Sequence, residues 1–338
     1  MYVRPLLCHC HELKGRSPID SIKKNWLKLT ISTVIVLIIG GFLASRADIR
    51  FGKFLEAVEQ MGWFAILLAF FGNFSQVLFL ILRHDALIPR EQHPGYRRVF
   101  FGVGMGHTVN MFFPARAGEV LKCLFLSQPK IPGKVTPLSV AGVLVADRVV
   151  DITTLVLMAV LTHAYVQPQI QERLRNWSIP WGWVGAIAVV AVLVGLWFFF
   201  FRESSRKARR WGREFRSGLA CLARPRYFAL ALFFAAISWT GELASLVVLC
   251  GTQGLQLTAG NAVFVLITIS IVGSIPLSLA NIGPYEAATA VVLVSLGMGY
   301  EQALAVATVH HILQLSSIAL WASITLVTRE KKRTRAPR

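Results

Sequence analysis

Apolar residues run through this chain in blocks longer than a soluble core uses, and two of the blocks are interrupted by glycine, proline and charge. The blocks fall at residues 27–45, 63–82, 99–113, 120–126, 138–163, 181–201, 227–250, 261–279, 282–296 and 302–327. Several exceed the run of about 18 residues that reads as a spanning helix, while 99–113, 120–126 and 282–296, beside the interruptions, fall short of it. The interruptions are Asn110-Met-Phe-Phe-Pro-Ala-Arg-Ala-Gly-Glu119 and Ser278-Leu-Ala-Asn-Ile-Gly-Pro-Tyr-Glu286. Each couples a helix-breaking element to an ionisable group at membrane depth. Unpaired backbone and charge are expensive there unless they line a protein-enclosed or watery space, which marks both breaks as candidate sites.

Lysine and arginine between the blocks set the orientation. The first 26 residues, the stretch 202–226 and the tail 328–338 are rich in them, and all three are expected on the cytoplasmic side. The uncharged stretch 251–260 and the charge-balanced stretch 46–60 are expected as loops outside. Block 63–82 then ends inside at Arg83, Arg90, Arg97 and Arg98. The segment 99–126 must start and end inside, and 261–296 must start and end outside. The expected fold is an all-α integral membrane protein of about eight spans or hairpins. It is organised as two inverted-topology repeats, 27–163 and 181–327, each holding a re-entrant broken-helix hairpin, with basic cytoplasmic tails at 1–26 and 328–338. Polar groups recur at matching places: Glu119 follows Gln76 by 43 positions and Glu286 follows Glu242 by 44. Inverted repeats with interrupted helices meeting near the midplane are an architecture of secondary transporters.

Composition narrows the class. Of the 338 residues 55% are hydrophobic and 15% charged, and the net charge is +18. That charge lies between apolar blocks and at the ends, as expected of loops against anionic leaflet lipids, so no nucleic acid partner is expected. Five cysteines give no disulfide framework. Cys8-His9-Cys10-His11 lacks the spacing of a structural zinc site and reads as terminal tail, so no metal or cofactor is expected. The polar stretch before the first block is too long for the start of a cleavable signal.

The candidate chemistry sits at and near the breaks. Pro114 and Gly118 leave backbone groups unpaired at the first tip, and a helix starting after it presents its positive end toward a phosphate, with Arg116 as a forked donor. Arg116 and Glu119, at i and i+3, also suit mutual neutralisation. Asp147 and Asp151 share a helical face beside Arg148. They can hold a cation or a proton, pair with Arg116, or form a salt bridge that fixes packing. The second break offers Tyr285 and Glu286, with Glu242 as a partner. His310 and His311 point about 100° apart on a helix, so both are not expected to be buried against one neighbour. One of them is expected to face the cavity and titrate.

At these positions the sequence resembles the transmembrane region of lysylphosphatidylglycerol synthases, the flippase-like part of multiple peptide resistance factors. The resemblance rests on Asn110-x-x-x-Pro114-Ala-Arg-Ala-Gly-Glu119, Asp147-Arg-x-x-Asp151, Ser274-Ile-Pro-x-Ser278 and Ile282-Gly-x-x-Glu286-Ala, and covers most of the chain. It implies lipid translocation or membrane-lipid handling in a bacterial inner membrane, with relatives linked to aminoacylated phosphatidylglycerol, hopanoids and polyprenyl-linked glycans. Ala280 and Asn281 stand where relatives tend to have a glycine pair, and His310-His311 where many carry tyrosine or arginine. No aminoacyl-transferase domain follows Arg338, so lysylphosphatidylglycerol synthesis is not expected. The leading expectation is a transporter of a lipid with an anionic or phosphorylated head group. Arg116 and the hairpin ends would bind the head, and Asn110, Glu119, Asp147, Arg148, Asp151, Tyr285 and Glu286 would line its site. Glu242, His310 and His311 are candidates for coupling. The rivals are a membrane-embedded lipid-modifying transferase and a non-transporting partner of a lipid or glycan synthesis enzyme.

Overall fold

The computed structural model describes residues 51–112, 117–128, 135–166, 168, 206–274 and 279–333. Blocks 27–45 and 181–201 lie outside these residues, as do Pro114 and Arg116. The described residues form ten α-helices. These are α1 (Phe51–Gln60), α2 (Trp63–Leu87), α3 (Tyr96–Phe112), α4 (Ala117–Leu126), α5 (Pro137–Thr162), α6 (Arg206–Leu219), α7 (Pro225–Thr252), α8 (Ala259–Ser274), α9 (Pro284–Ser295) and α10 (Tyr300–Arg333). Three of them, α2, α7 and the Tyr300–Val327 part of α10, are long and apolar enough to cross a membrane. At about 1.5 Å per residue each exceeds the roughly 30 Å hydrocarbon layer. Helix α5 matches them with 26 residues but carries Asp147, Arg148 and Asp151.

Local chemistry sets several helix ends. Pro137 and Pro225 occupy the first turns of α5 and α7, where a missing N–H is harmless, and the Thr136 side chain accepts from Ser139 N at 3.2 Å. Helix α2 continues beyond the expected end at 82 and stops only ahead of Pro89, whose ring disfavours helix in the residue before it. Two stretches expected as loops are helical. Residues 51–60 form α1. Residues 206–219 form α6, whose packing against α5 covers part of the basic segment.

Packing relies on glycine. Helices α2 and α7 cross where Gly72 meets Gly241: a methyl on Gly72 would lie 2.6 Å from the Gly241 carbonyl, and one on Gly241 2.8 Å from that of Gly72. Such reciprocal contact lets backbones approach as small residues do between membrane helices. Gly106 faces Gly118 between α3 and α4, and Gly142 faces Gly218 between α5 and α6, equally without room for a side chain.

Large apolar side chains cover the outside. Trp63, Phe64, Leu68 and Phe71 on α2, and Ile152, Val156, Val160 and Leu161 on α5, are exposed. In water such faces are rare, whereas against lipid they are the solvated surface.

Inside, the apolar residues divide into two cores. One gathers Ala69, Leu246, Leu249, Val265, Leu293 and Val306; the other gathers Val77, Ile81, Val103, Val143, Ala235 and Trp321. The division falls near the middle of all three long helices. Between the cores α2 carries Asn73 and Gln76, α7 carries Ser238, Glu242 and Ser245, and α10 carries His310, His311, Gln314 and Ser317. The long helices therefore hold a polar layer at half their length.

Candidate functional site

The polar layer is knitted by hydrogen bonds between helices. Asn73 Nδ2 donates to Ser245 Oγ at 2.7 Å, Ser238 Oγ to the Gln76 carbonyl at 3.0 Å, and Gln76 Nε2 to Glu242 Oε2 at 2.5 Å. Gln314 Nε2 approaches the other Glu242 oxygen at 3.3 Å. Gln76 and Glu242, matched by their spacing to the two breaks, thus touch each other. Glu242 is buried, and among the described residues no cation lies within ion-pair distance of it.

The two breaks adjoin this layer. Glu119 lies in the first turn of α4, immediately after the first break, and Glu286 in the first turn of α9, after the second. Carboxylates suit those places because a helix N-terminus carries unpaired N–H groups and partial positive charge. Gly283 N donates to Glu286 Oε2 at 2.7 Å, and Asn281 Nδ2 ties the second break to the Gly273 carbonyl at 2.9 Å. Ala280 and Asn281 take φ of 51° and 56°, the left-handed region that favours glycine. The departure from the glycine pair therefore falls on two positions where the backbone turns as glycine would. Helix α3, which enters the first break, packs against the 279–281 turn of the second.

On the side of the first break the ionic groups form one cluster. Asn110 Nδ2 and Lys122 Nζ donate to Glu119 Oε1 at 2.8 and 3.2 Å, and Arg148 Nη2 stands 3.6 Å from it. Arg148 also reaches Asp147 at 3.4 Å and Asp151 at 3.3 Å. The principal partner of both aspartates is Arg83: its Nε lies 2.7 Å from Asp147 Oδ1, and its two terminal nitrogens grip the Asp151 carboxylate. Arg83 is 1% exposed, so the expectation that it ends a span at the cytoplasmic surface is overturned. The continuation of α2 to Leu87 places it inside, where a planar guanidinium bridges two carboxylates one turn apart. Trp239 Nε1 on α7 donates to Asp151 Oδ1 at 3.1 Å, joining this cluster to the layer one turn from Glu242.

On the side of the second break, Tyr285 Oη and His310 Nδ1 are 2.6 Å apart, and His311 Nδ1 lies 2.7 Å from Glu286 Oε1. Both histidines are buried, at 0% and 1% exposure. The expectation that the two would not both be buried against one neighbour is thereby corrected: that neighbour is α9. Tyr285 and Glu286, also consecutive, meet them residue for residue on α9, and the Tyr285 ring stacks on His311 with centroids 4.2 Å apart. Nε2 of each histidine has no hydrogen-bond partner among the described residues.

The expected residues Asn110, Glu119, Asp147, Arg148 and Asp151 are thus brought together, as are Tyr285, Glu286, His310 and His311, and Glu242 lies between the groups. Arg116 lies outside the described residues. Arg83, Lys122, Trp239 and Gln314 are the members sequence reasoning missed. The signal for Lys122 was available, since a lysine inside the apolar block 120–126, three residues after Glu119, has few places to go but that carboxylate.

A helical bundle with lipid-facing flanks and a polar layer at half-depth defines an integral membrane protein. The chain belongs to the lysylphosphatidylglycerol synthase TM region family, whose model matches residues 25–322, and this ties it to membrane-lipid biosynthesis or flipping. No curated protein and no solved structure matches it.

Proposed function

We propose that the protein moves a lipid with an anionic or phosphorylated head group between leaflets, the head passing through the polar layer while its tails stay in the surrounding bilayer. The reading is carried by one observation. Polar contacts lead from Glu119 at the first break through Arg148 and Asp151 to Trp239, one turn of α7 from Glu242; Glu242 in turn meets Gln314, one turn of α10 from His311, which meets Glu286 at the second break. A structural bundle gains nothing from burying so many ionic groups, because removing charges from water is rarely repaid by pairing them.

Two arginines, Arg116 and Arg148, motivate the choice of an anion. Arg83, Lys122 and Arg148 face Glu119, Asp147 and Asp151, so the described cluster is close to balanced. Arg116, three positions before Glu119 in the sequence, adds a further cation to that stretch, and Arg148, 45% exposed on its side chain, is the described cation best placed to exchange a carboxylate for a head-group phosphate. Two inverted repeats around this layer, with both termini cytoplasmic, complete the proposed architecture. A metal-dependent transferase is disfavoured because Arg83 occupies both aspartates that would bind the ion.

The test is translocation of fluorescent phosphatidylglycerol in proteoliposomes, read by quenching from outside. The wild type is expected to exceed empty vesicles, and Arg116→Ala and Arg148→Ala to fall well below it. No acceleration over empty vesicles, or full rates in both variants, would overturn the proposal.

A further inference from the structure

We infer that Glu242 is a proton-binding site that loads together with the anionic head group, making lipid movement proton-coupled; this rests on the transport reading above. The geometry singles it out among the carboxylates of the polar layer and the two breaks. Asp147 and Asp151 are locked by Arg83 and Arg148, Glu119 by Lys122 and Arg148, and Glu286 by His311. Glu242 alone of this set has amides for its nearest partners, Gln76 and Gln314. A carboxylate in that position keeps no counter-charge when ionised, whereas its protonated form is neutral and still satisfies both amides.

Of the groups around Glu242, Asp151 on α5 carries a like charge, while Tyr285 on α9 and His310 on α10 are engaged with each other and offer it no counter-charge. Helix α2 presents Gln76, with Arg83 committed to the aspartates two turns on. An anionic head group entering the layer adds a second like charge, so proton uptake at Glu242 and head-group entry favour one another. On uptake one O–H bond forms from a hydronium ion, and on release it breaks to water.

Two readouts on the full-length protein in phosphatidylcholine–phosphatidylglycerol vesicles test this. In infrared pH titration the carbonyl stretch of a protonated, buried carboxyl is expected in the wild type and absent in Glu242→Gln, which keeps the shape of the side chain. Gln314→Met, which removes an amide donor to the ionised form, is expected to move the band's midpoint to higher pH. In the translocation assay the wild-type rate is expected to fall as pH rises, by about tenfold per unit on the limb set by one proton. Glu242→Gln is expected to be flat. A band that persists in Glu242→Gln, or a variant that keeps the wild-type pH profile, overturns the inference. Should the wild type move no lipid, the transport reading fails and coupling fails with it, while the infrared band separately decides whether Glu242 binds the proton.

Discussion

Replacing Arg83 by methionine probes the buried ionic cluster most sharply. The substitution nearly conserves volume and leaves Asp147 and Asp151 buried without their principal cation. Breaking a buried pair by removing one partner costs about 3–5 kcal/mol. Arg148 still reaches both carboxylates at 3.4 and 3.3 Å from a half-exposed position, which puts the expected loss near the lower end, about 3 kcal/mol. That is about a hundredfold in the folding equilibrium. The assay is reversible unfolding in mixed micelles titrated with a denaturing detergent. Arg83→Lys should fall between, because a single ammonium cannot hold two carboxylates in the geometry of a planar fork. Arg83→Met combined with Asp147→Asn and Asp151→Asn should recover most of the loss, since no ionised group is then left unpaired. A single variant as stable as the wild type, or a triple variant no better than the single, would refute the assignment.

Other substitutions test the frame around the site. Gly72→Ala should destabilise by about 1–3 kcal/mol by forcing α2 and α7 apart, and the same assay should show Gly52→Ala, where nothing crowds the added methyl, close to neutral. Ala280→Gly should stabilise by about 1 kcal/mol because φ of 51° strains any residue with a β-carbon, and a lower stability would show that the turn is not left-handed. Trp239→Phe removes the N–H donated to Asp151 and should cost about 1.5–3 kcal/mol, an unchanged unfolding midpoint being the contrary result. Tyr285→Phe should leave the fold intact yet alter the His310 ring signals in NMR spectra of labelled protein, which would stay unmoved if the 2.6 Å contact were absent.

Much of the helical layout was legible, because hydropathy is a one-dimensional property and lipid imposes it on whole spans. The blocks at 138–163 and 227–250 became α5 and α7 with boundaries shifted by one or two residues. The errors arose where burial is decided by a partner far along the chain. Arg83 looked like a loop cation because it follows an apolar block, and only the fold brings Asp147 and Asp151 to it. Helix α6 looked like a basic loop, since eight of its fourteen residues are polar or charged and its apolar contacts lie on α5. The histidines were misjudged because a helix was imagined facing a single side chain, when α9 offers Tyr285 and Glu286 in register. The value of Gln76 and Glu242 did show in the sequence, through their equal spacing from the breaks, although nothing there said that they would meet.

The most direct measurement is a cryo-electron microscopy map of the protein in nanodiscs containing phosphatidylglycerol. Head-group density inside the bundle, bordered by Glu119 and Arg148 on one side and by Glu286 and His311 on the other, is the expected result. A dry, closed interior with every lipid confined to the outer apolar belt would contradict the claim that the polar layer carries a head group across.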